Sequence, residues 1–232
     1  MIAPELLIRD EEVQLPAGEV TLAATISVPA DPRGLVIFAH GSGSSRTSPR
    51  NRFVASTLNH EGLATLLLDM LTEQEATQRA NVFDIDLLSR RLLAATDWAG
   101  KQPDLAGLQV GYFGASTGAG AALAAAGREP SRVHAVVSRG GRPDLAGAAL
   151  AQVEAPVLLI VGGHDEAILG LNRQALARLD GVSHLSIIRG ATHLFEEPGA
   201  LEEVARQATH FFAKHLVREP MRQRRAAEPH PA

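Results

Sequence analysis

Six short apolar runs recur along the 232-residue chain: LVIFAH at 35–40, LATLLLD at 63–69, LQVGYFG at 108–114, VHAVVS at 133–138, PVLLIVG at 156–162 and HLSIIRG at 184–190. Each is apolar without alternation and ends at or beside Gly, Asp or Ser, as do strands covered on both faces of a parallel sheet. Stretches with helical spacing lie between them, at 84–100, 116–127, 167–179 and 198–216. Strand and helix in strict alternation demand right-handed crossovers, so the chain is expected to form an α/β fold with a doubly wound, mostly parallel sheet. Residues 11–28 precede this pattern and read as an antiparallel hairpin around Pro16-Ala17-Gly18. Ligands of such sheets bind at the carboxyl ends of the strands, which directs attention to the residues just after each run.

Composition narrows the function. With 45% hydrophobic and 21% charged residues the chain is an ordinary globular sequence, and with 4% aromatics its core must be filled by Ala, Leu and Val. A formal net charge of -4 supplies no basic field for a phosphate backbone, which argues against nucleic acid as a partner. The absence of cysteine excludes disulfides, a thiolate nucleophile and any Cys-based zinc site. The start, MIAPELLIRDEEVQL, carries acids where a signal peptide needs a basic patch, and no stretch approaches the roughly 18 apolar residues of a membrane span. The expectation is a cytoplasmic protein that is not bound to membranes, with residues 1–216 as one domain. Residues 217–232, VREPMRQRRAAEPHPA, read as a polar tail. Nothing in the sequence fixes an oligomeric state.

The chemistry concentrates at Gly114-Ala115-Ser116-Thr117-Gly118, a G-x-S-x-G between an expected strand and an expected helix. A sharp strand-to-helix turn lifts a serine Oγ clear of the sheet at a helix N-terminus, and the crowding it causes requires small flanking residues. A tight glycine turn or a nucleotide-binding loop would use the same letters. The latter normally opens the first βαβ unit with an acid after the next strand, whereas here the next strand ends in Ser138-Arg139. The base for Ser116 is expected to be His193, directly after the last run on the carboxyl-end face. The acid orienting it is expected to be Asp165 in LLIVGGHDE, giving the order Ser, Asp, His. Asp69 is the rival acid, with a local role at its strand end as the alternative. His164 adjoins Asp165 but points away from the same target.

Charge developing on an attacked carbonyl needs fixed donors. The backbone N–H groups of Ser42, in the loop His40-Gly41-Ser42-Gly43-Ser44-Ser45-Arg46, and of Thr117 are the oxyanion candidates. Arg139 and Arg142 bracket Gly140-Gly141 on the same face, and together with Arg46 are candidates for binding an anionic substrate; pairing with Asp144 or with loop carbonyls is the structural alternative.

Taken together, HGSGSS, GASTG, GGHDE and GATHLFEEPG resemble the dienelactone-hydrolase-like branch of the α/β-hydrolases across roughly residues 20–215. HGSGSSRTSPRN and VVSRGGRPDL are similar, in particular, to small bacterial hydrolases that also occur fused to phosphoribosyltransferase domains. The resemblance implies an α/β-hydrolase fold with an eight-stranded, mostly parallel sheet, helices on both faces, and neither metal nor organic cofactor. Dienelactone hydrolases usually carry cysteine at the nucleophile, where this chain has Ser116, so the resemblance transfers acyl chemistry but not the dienelactone substrate. Residues 139–155, where many relatives insert a helical cap, are too few to form one. The expectation is therefore an open-sited serine hydrolase acting on small esters or lactones. Phosphotriester cleavage or another acyl transfer would use the same nucleophile, and a catalytically silent binding protein is the reading from a different class.

Overall fold

The hairpin forms from Leu7–Ala17 (β1) and Val20–Pro29 (β2), and the six apolar runs become Leu35–Ala39 (β3), Ala64–Leu68 (β4), Val110–Ala115 (β5), Ala135–Arg139 (β6), Val157–Gly162 (β7) and Ser183–Ile188 (β8). In the computed structural model, which describes residues 7–216, these pair into one eight-stranded sheet ordered β1-β2-β4-β3-β5-β6-β7-β8. β2 is antiparallel to both its neighbours and every other pairing is parallel. The doubly wound α/β architecture expected from the alternation is therefore present. The tail at 217–232 lies outside the described residues.

Among the described residues seven α-helices lie between or after the strands: Pro49–His60 (α1), Glu73–Ala76 (α2), Arg79–Val82 (α3), Ile85–Gly100 (α4), Thr117–Arg128 (α5), Glu166–Leu176 (α6) and Ala200–His215 (α7). Four match the stretches read from helical spacing. The omission of α1 has a physical reason, because PRNRFVASTLNH lacks a clean apolar stripe and buries Asn51 and Asn59 beside Val54, Ala55 and Leu58. Asn59 is held by donating from Nδ2 to Leu63 O (2.9 Å) and Thr65 Oγ1 (3.1 Å), so a polar residue does the packing of an apolar one. Ser48 caps the helix and Pro49 occupies its first position.

Alternation along the central strands divides the core. Ile37, Leu66, Tyr112, Val136 and Leu159 face the layer of α4 and α5. Val36, Phe38, Phe113, Val137 and Ile160 face α1 and α7, where Val54, Leu58, Val204, Phe211 and Phe212 meet them. Burying both faces of five parallel strands is what requires the near-continuous apolar runs. The connection between β6 and β7 contains only a kinked 3₁₀ segment, Pro143–Gln152, which lies down on α5 and buries Ala146 and Leu150.

Candidate active site

Parallel strands end together, so the residues after β3, β4, β5, β6, β7 and β8 share one face of the molecule. At its centre Ser116 joins β5 to α5 with φ 51 and ψ -121, a region that L-residues rarely occupy. Ser116 and Phe195 (φ 57) are the non-glycine residues with positive φ among those described, and both belong to this face. Such backbone outliers persist only where the surroundings over-determine them. At Ser116 they do: its N–H donates to Arg139 O (3.3 Å) and its carbonyl accepts from Arg142 N (3.0 Å) and Ala119 N (3.1 Å). Gly118 is required by close approach, since a Cβ there would stand 2.5 Å from His40 O, and one at Gly41 would stand 2.9 Å from Ser116 Cβ. The His40 loop therefore presses directly on the serine turn.

Asp165 occupies the N-cap position of α6 but makes no cap bond. Its Oδ2 instead accepts from His193 Nδ1 at 2.6 Å, so a capping contribution of about 1 kcal/mol is given up for an interaction with a distant loop. Asp165 is the buried partner, 14% exposed, and His193 the outer one, 40% exposed. Because a carboxylate only accepts, Nδ1 carries the shared proton, and in the neutral ring the free lone pair is then on Nε2. The loop holding His193 is anchored by Phe195, which is 1% exposed, and by Thr192 N donating to Glu197 Oε1 (3.1 Å). A Cβ at Gly140 would lie 3.4 Å from His193 Nδ1, so the segment bonded to Ser116 also touches the histidine. The structure thus brings Ser116, Asp165 and His193 to one locality. His164 is exposed and its N–H donates to Ala191 O (2.9 Å).

Asp69 stands apart from that group. Its carboxylate accepts from Arg46 N (2.7 Å) and Arg46 Nη1 (2.8 Å), and Arg46 Nη2 donates in turn to Glu12 (3.0 Å). These contacts brace the loop after β3. Ser42 N–H donates to Thr117 Oγ1 at 3.0 Å, so one of the two expected oxyanion donors is already satisfied by the side chain of the other, a contact the sequence did not signal. Beside them opens a cavity of about 350 Å³ lined by His40, Ser42, Met70, Leu71, Leu88 and Thr117, among others. A larger hollow of about 640 Å³ lies between β1, β2 and α1 and includes none of Ser116, Asp165 or His193. Among the described residues no group of three or more His, Asp or Glu side chains is arranged to hold a metal ion, and no helix is long and apolar enough to cross a membrane.

His40 braces the loop after β3 from below. Met70 N–H donates to its Nε2 (3.0 Å), so the ring proton sits on Nδ1 and is donated to Gly41 O (2.9 Å). Burial lowers its pKa from the ordinary 6.5, against the raising effects of the Gly41 bond and the Asp69 charge. The folded value lies below the unfolded one, so the contribution is intact above 6.5 and is lost as pH falls from there through the depressed folded value. Urea unfolding of the parent and His40→Gln between about pH 5 and 8 is expected to show the steeper acid-side loss in the parent. Parallel slopes would assign that loss elsewhere.

Of the three arginines suggested for substrate binding, Arg142 forms a bidentate pair with Asp144 (2.8 and 2.7 Å), and Arg46 is engaged by Asp69 and Glu12. Arg139 has no carboxylate partner among the described residues and is 8% exposed.

The model of the dienelactone hydrolase family matches residues 22–216. A putative phosphoribosyl transferase of Mycobacterium tuberculosis (strain ATCC 25618 / H37Rv) is 60% identical over 209 residues, which cover 90% of this chain and 47% of the relative. The chain thus spans about half the length of the curated relatives it matches. A crystal structure of dienelactone hydrolase from Anabaena variabilis ATCC 29413 is 53% identical, covers 90% of this chain and 98% of that one, and superposes with a TM-score of 0.87. Est1E from Butyrivibrio proteoclasticus shares the fold at 19% identity and TM-score 0.74, with 88% of this chain and 98% of that one covered.

Proposed function

Because the chain belongs to the dienelactone hydrolase family, we propose that it is a serine hydrolase cleaving small carboxylic esters or lactones through an acyl-enzyme on Ser116. The observation that carries this reading is the 2.6 Å pairing of His193 Nδ1 with Asp165, on a loop that touches the same segment as the strained Ser116 turn. In the proposed cycle Ser116 Oγ gives its proton to His193 Nε2 as it attacks the carbonyl carbon, and Asp165 stabilises the imidazolium. The carbonyl oxygen becomes an oxyanion held by Thr117 N–H and Ser42 N–H, the latter exchanging or sharing its bond to Thr117 Oγ1. Collapse expels the alcohol, which takes the proton from His193. Water then repeats the sequence on the acyl-serine and releases the acid. The cavity beside Ser42 and Thr117, at about 350 Å³ and walled by Met70, Leu71 and Leu88, supports a small apolar group on one side of the scissile bond.

A fluorophosphonate probe tests the nucleophile directly. The folded protein is expected to take up one equivalent, located at Ser116 by peptide mass analysis, and the denatured protein none. A native protein that never labels and turns over no ester would leave a hydrolase fold used for binding.

A further inference from the structure

Residues 139–142, the segment after β6, touch both the nucleophile turn and the histidine. Arg139 O accepts from Ser116 N (3.3 Å), Arg142 N donates to Ser116 O (3.0 Å), and a Cβ at Gly140 would lie 3.4 Å from His193 Nδ1. At Gly141 the segment is buried against the first turn of α5: a Cβ there would collide with Ser138 Oγ and stand 2.5 Å from Ala119 Cβ. The Gly141 carbonyl accepts from Asn172 Nδ2 at 3.0 Å, and no other donor reaches it among the described residues. Asn172 is 0% exposed and lies in α6, two turns beyond Asp165. Its Nδ2 also donates to Ile168 O (2.8 Å), one turn back on its own helix. Both carbonyls only accept, so the amide is held with Nδ2 toward them. That leaves Oδ1 buried with no partner among the described residues. A buried acceptor without a donor costs stability. Packing alone would therefore favour an apolar side chain, as at Leu169 and Ala175 on the same helix. What the amide gains is the tie to Gly141, the one of its two bonds that joins separate elements.

We propose that Asn172 is a positioning residue for the reaction: by tying α6 to Gly141 it fixes the Ser116 turn against the Asp165–His193 pair. This rests on the hydrolase reading for the reaction it serves. α6 begins at Asp165, which pairs with His193, and residues 139–142 supply two of the backbone bonds that hold Ser116 at φ 51. A backbone outlier is kept only by such constraints. With Gly141 O released, the segment can relax toward ordinary φ/ψ, and Ser116 Oγ departs from His193 Nε2. A displacement of about 1 Å between reacting groups costs up to about 10²-fold in rate. The cavity walled by Met70, Leu71 and Leu88 includes neither Asn172 nor Gly141. The loss should therefore fall on kcat and leave KM in place.

The test uses Asn59→Ala as an internal comparison. Asn59 is also buried and donates from Nδ2 to Leu63 O (2.9 Å) and Thr65 Oγ1 (3.1 Å), but it sits in α1 beside β4. Both alanine variants are expected to lower the thermal midpoint. Only Asn172→Ala should lower kcat for a 4-nitrophenyl ester, by at least about tenfold, and slow fluorophosphonate labelling of Ser116 in proportion. Its KM should stay within about twofold of the parent. Equal kcat losses in the two variants, or a kcat in Asn172→Ala within about threefold of the parent, overturn the proposal. Should Asn172→Ala fail to fold, Asn172→Asp decides. Its carboxylate would face the Gly141 carbonyl, whereas its protonated form can donate to it, and burial favours that form. The ratio of variant to parent kcat should then rise as pH falls from about 8 to about 5, and a flat ratio sinks the idea. A parent that neither labels nor turns over ester fails the hydrolase reading. The downfield proton resonance of His193 Nδ1 then carries the test: its loss in Asn172→Ala supports the tie, and its survival unchanged overturns it.

Discussion

Replacing Ser116 with Ala is expected to lower ester turnover by at least about 10⁴-fold while leaving the fold in place. The Ser116 side chain enters no side-chain hydrogen bond among the described residues, so removing Oγ deletes the nucleophile and little packing. Alanine keeps the Cβ and therefore the same backbone demand at φ 51, and the three backbone bonds that enforce it are untouched. Stability should stay within about 0.5 kcal/mol of the parent, as for other changes away from packing and buried polar groups. Steady-state hydrolysis of a 4-nitrophenyl ester and a urea melt of each protein check both halves. A variant that keeps activity within about tenfold of the parent would show that another group attacks.

Asp165→Asn and Asp69→Asn are expected to fail in opposite ways. At Asp165 the amide preserves size but no longer fixes the imidazole proton on Nδ1, so His193 loses the tautomer that leaves Nε2 able to accept. Turnover should fall by about 10³- to 10⁴-fold with a small change in stability. At Asp69 the carboxylate ties the Arg46 main chain and guanidinium to the end of β4. Its loss should cost about 1.5–3 kcal/mol, the scale of hydrogen bonds to a charged group, and reduce turnover by less than about tenfold. Parallel kcat and unfolding measurements distinguish the two, and an exchange of the phenotypes would make Asp69 the orienting acid.

Much of this arrangement could be read before the structure, and the reason differs from element to element. Strands covered on both faces cannot avoid long apolar runs, which is why β3 to β7 were recognisable to within a few residues. The strand-to-helix turn at Ser116 tolerates few sequences, so G-x-S-x-G carried its position. What escaped the reading depends on contacts between distant segments. α1 buries asparagines whose partners, Leu63 and Thr65, are known only once β4 lies beside it. Arg142 and Arg139 stand three residues apart with equal formal charge, yet one finds Asp144 and the other is buried at the end of β6 without a carboxylate partner among the described residues. The Ser42–Thr117 bond likewise joins residues 75 positions apart and has no local signature.

The β6–β7 connection, laid flat on α5, also bears on the fate of the acyl group in the proposed cycle. An enzyme that closes a lid over its acyl-serine chooses the acceptor by excluding bulk solvent until the chosen molecule is seated. Here the segment Pro143–Gln152 packs on α5 and buries Pro143, Ala146 and Leu150, while Ser116 is half-buried and His193 stays 40% exposed. In the proposed cycle water would then reach the acyl-serine directly, with no gate among the described residues for an added alcohol to pass ahead of it. The partition between acids and new esters is therefore set by solvent abundance, and converting such a scaffold into a transferase would call for a longer β6–β7 connection rather than for new catalytic residues.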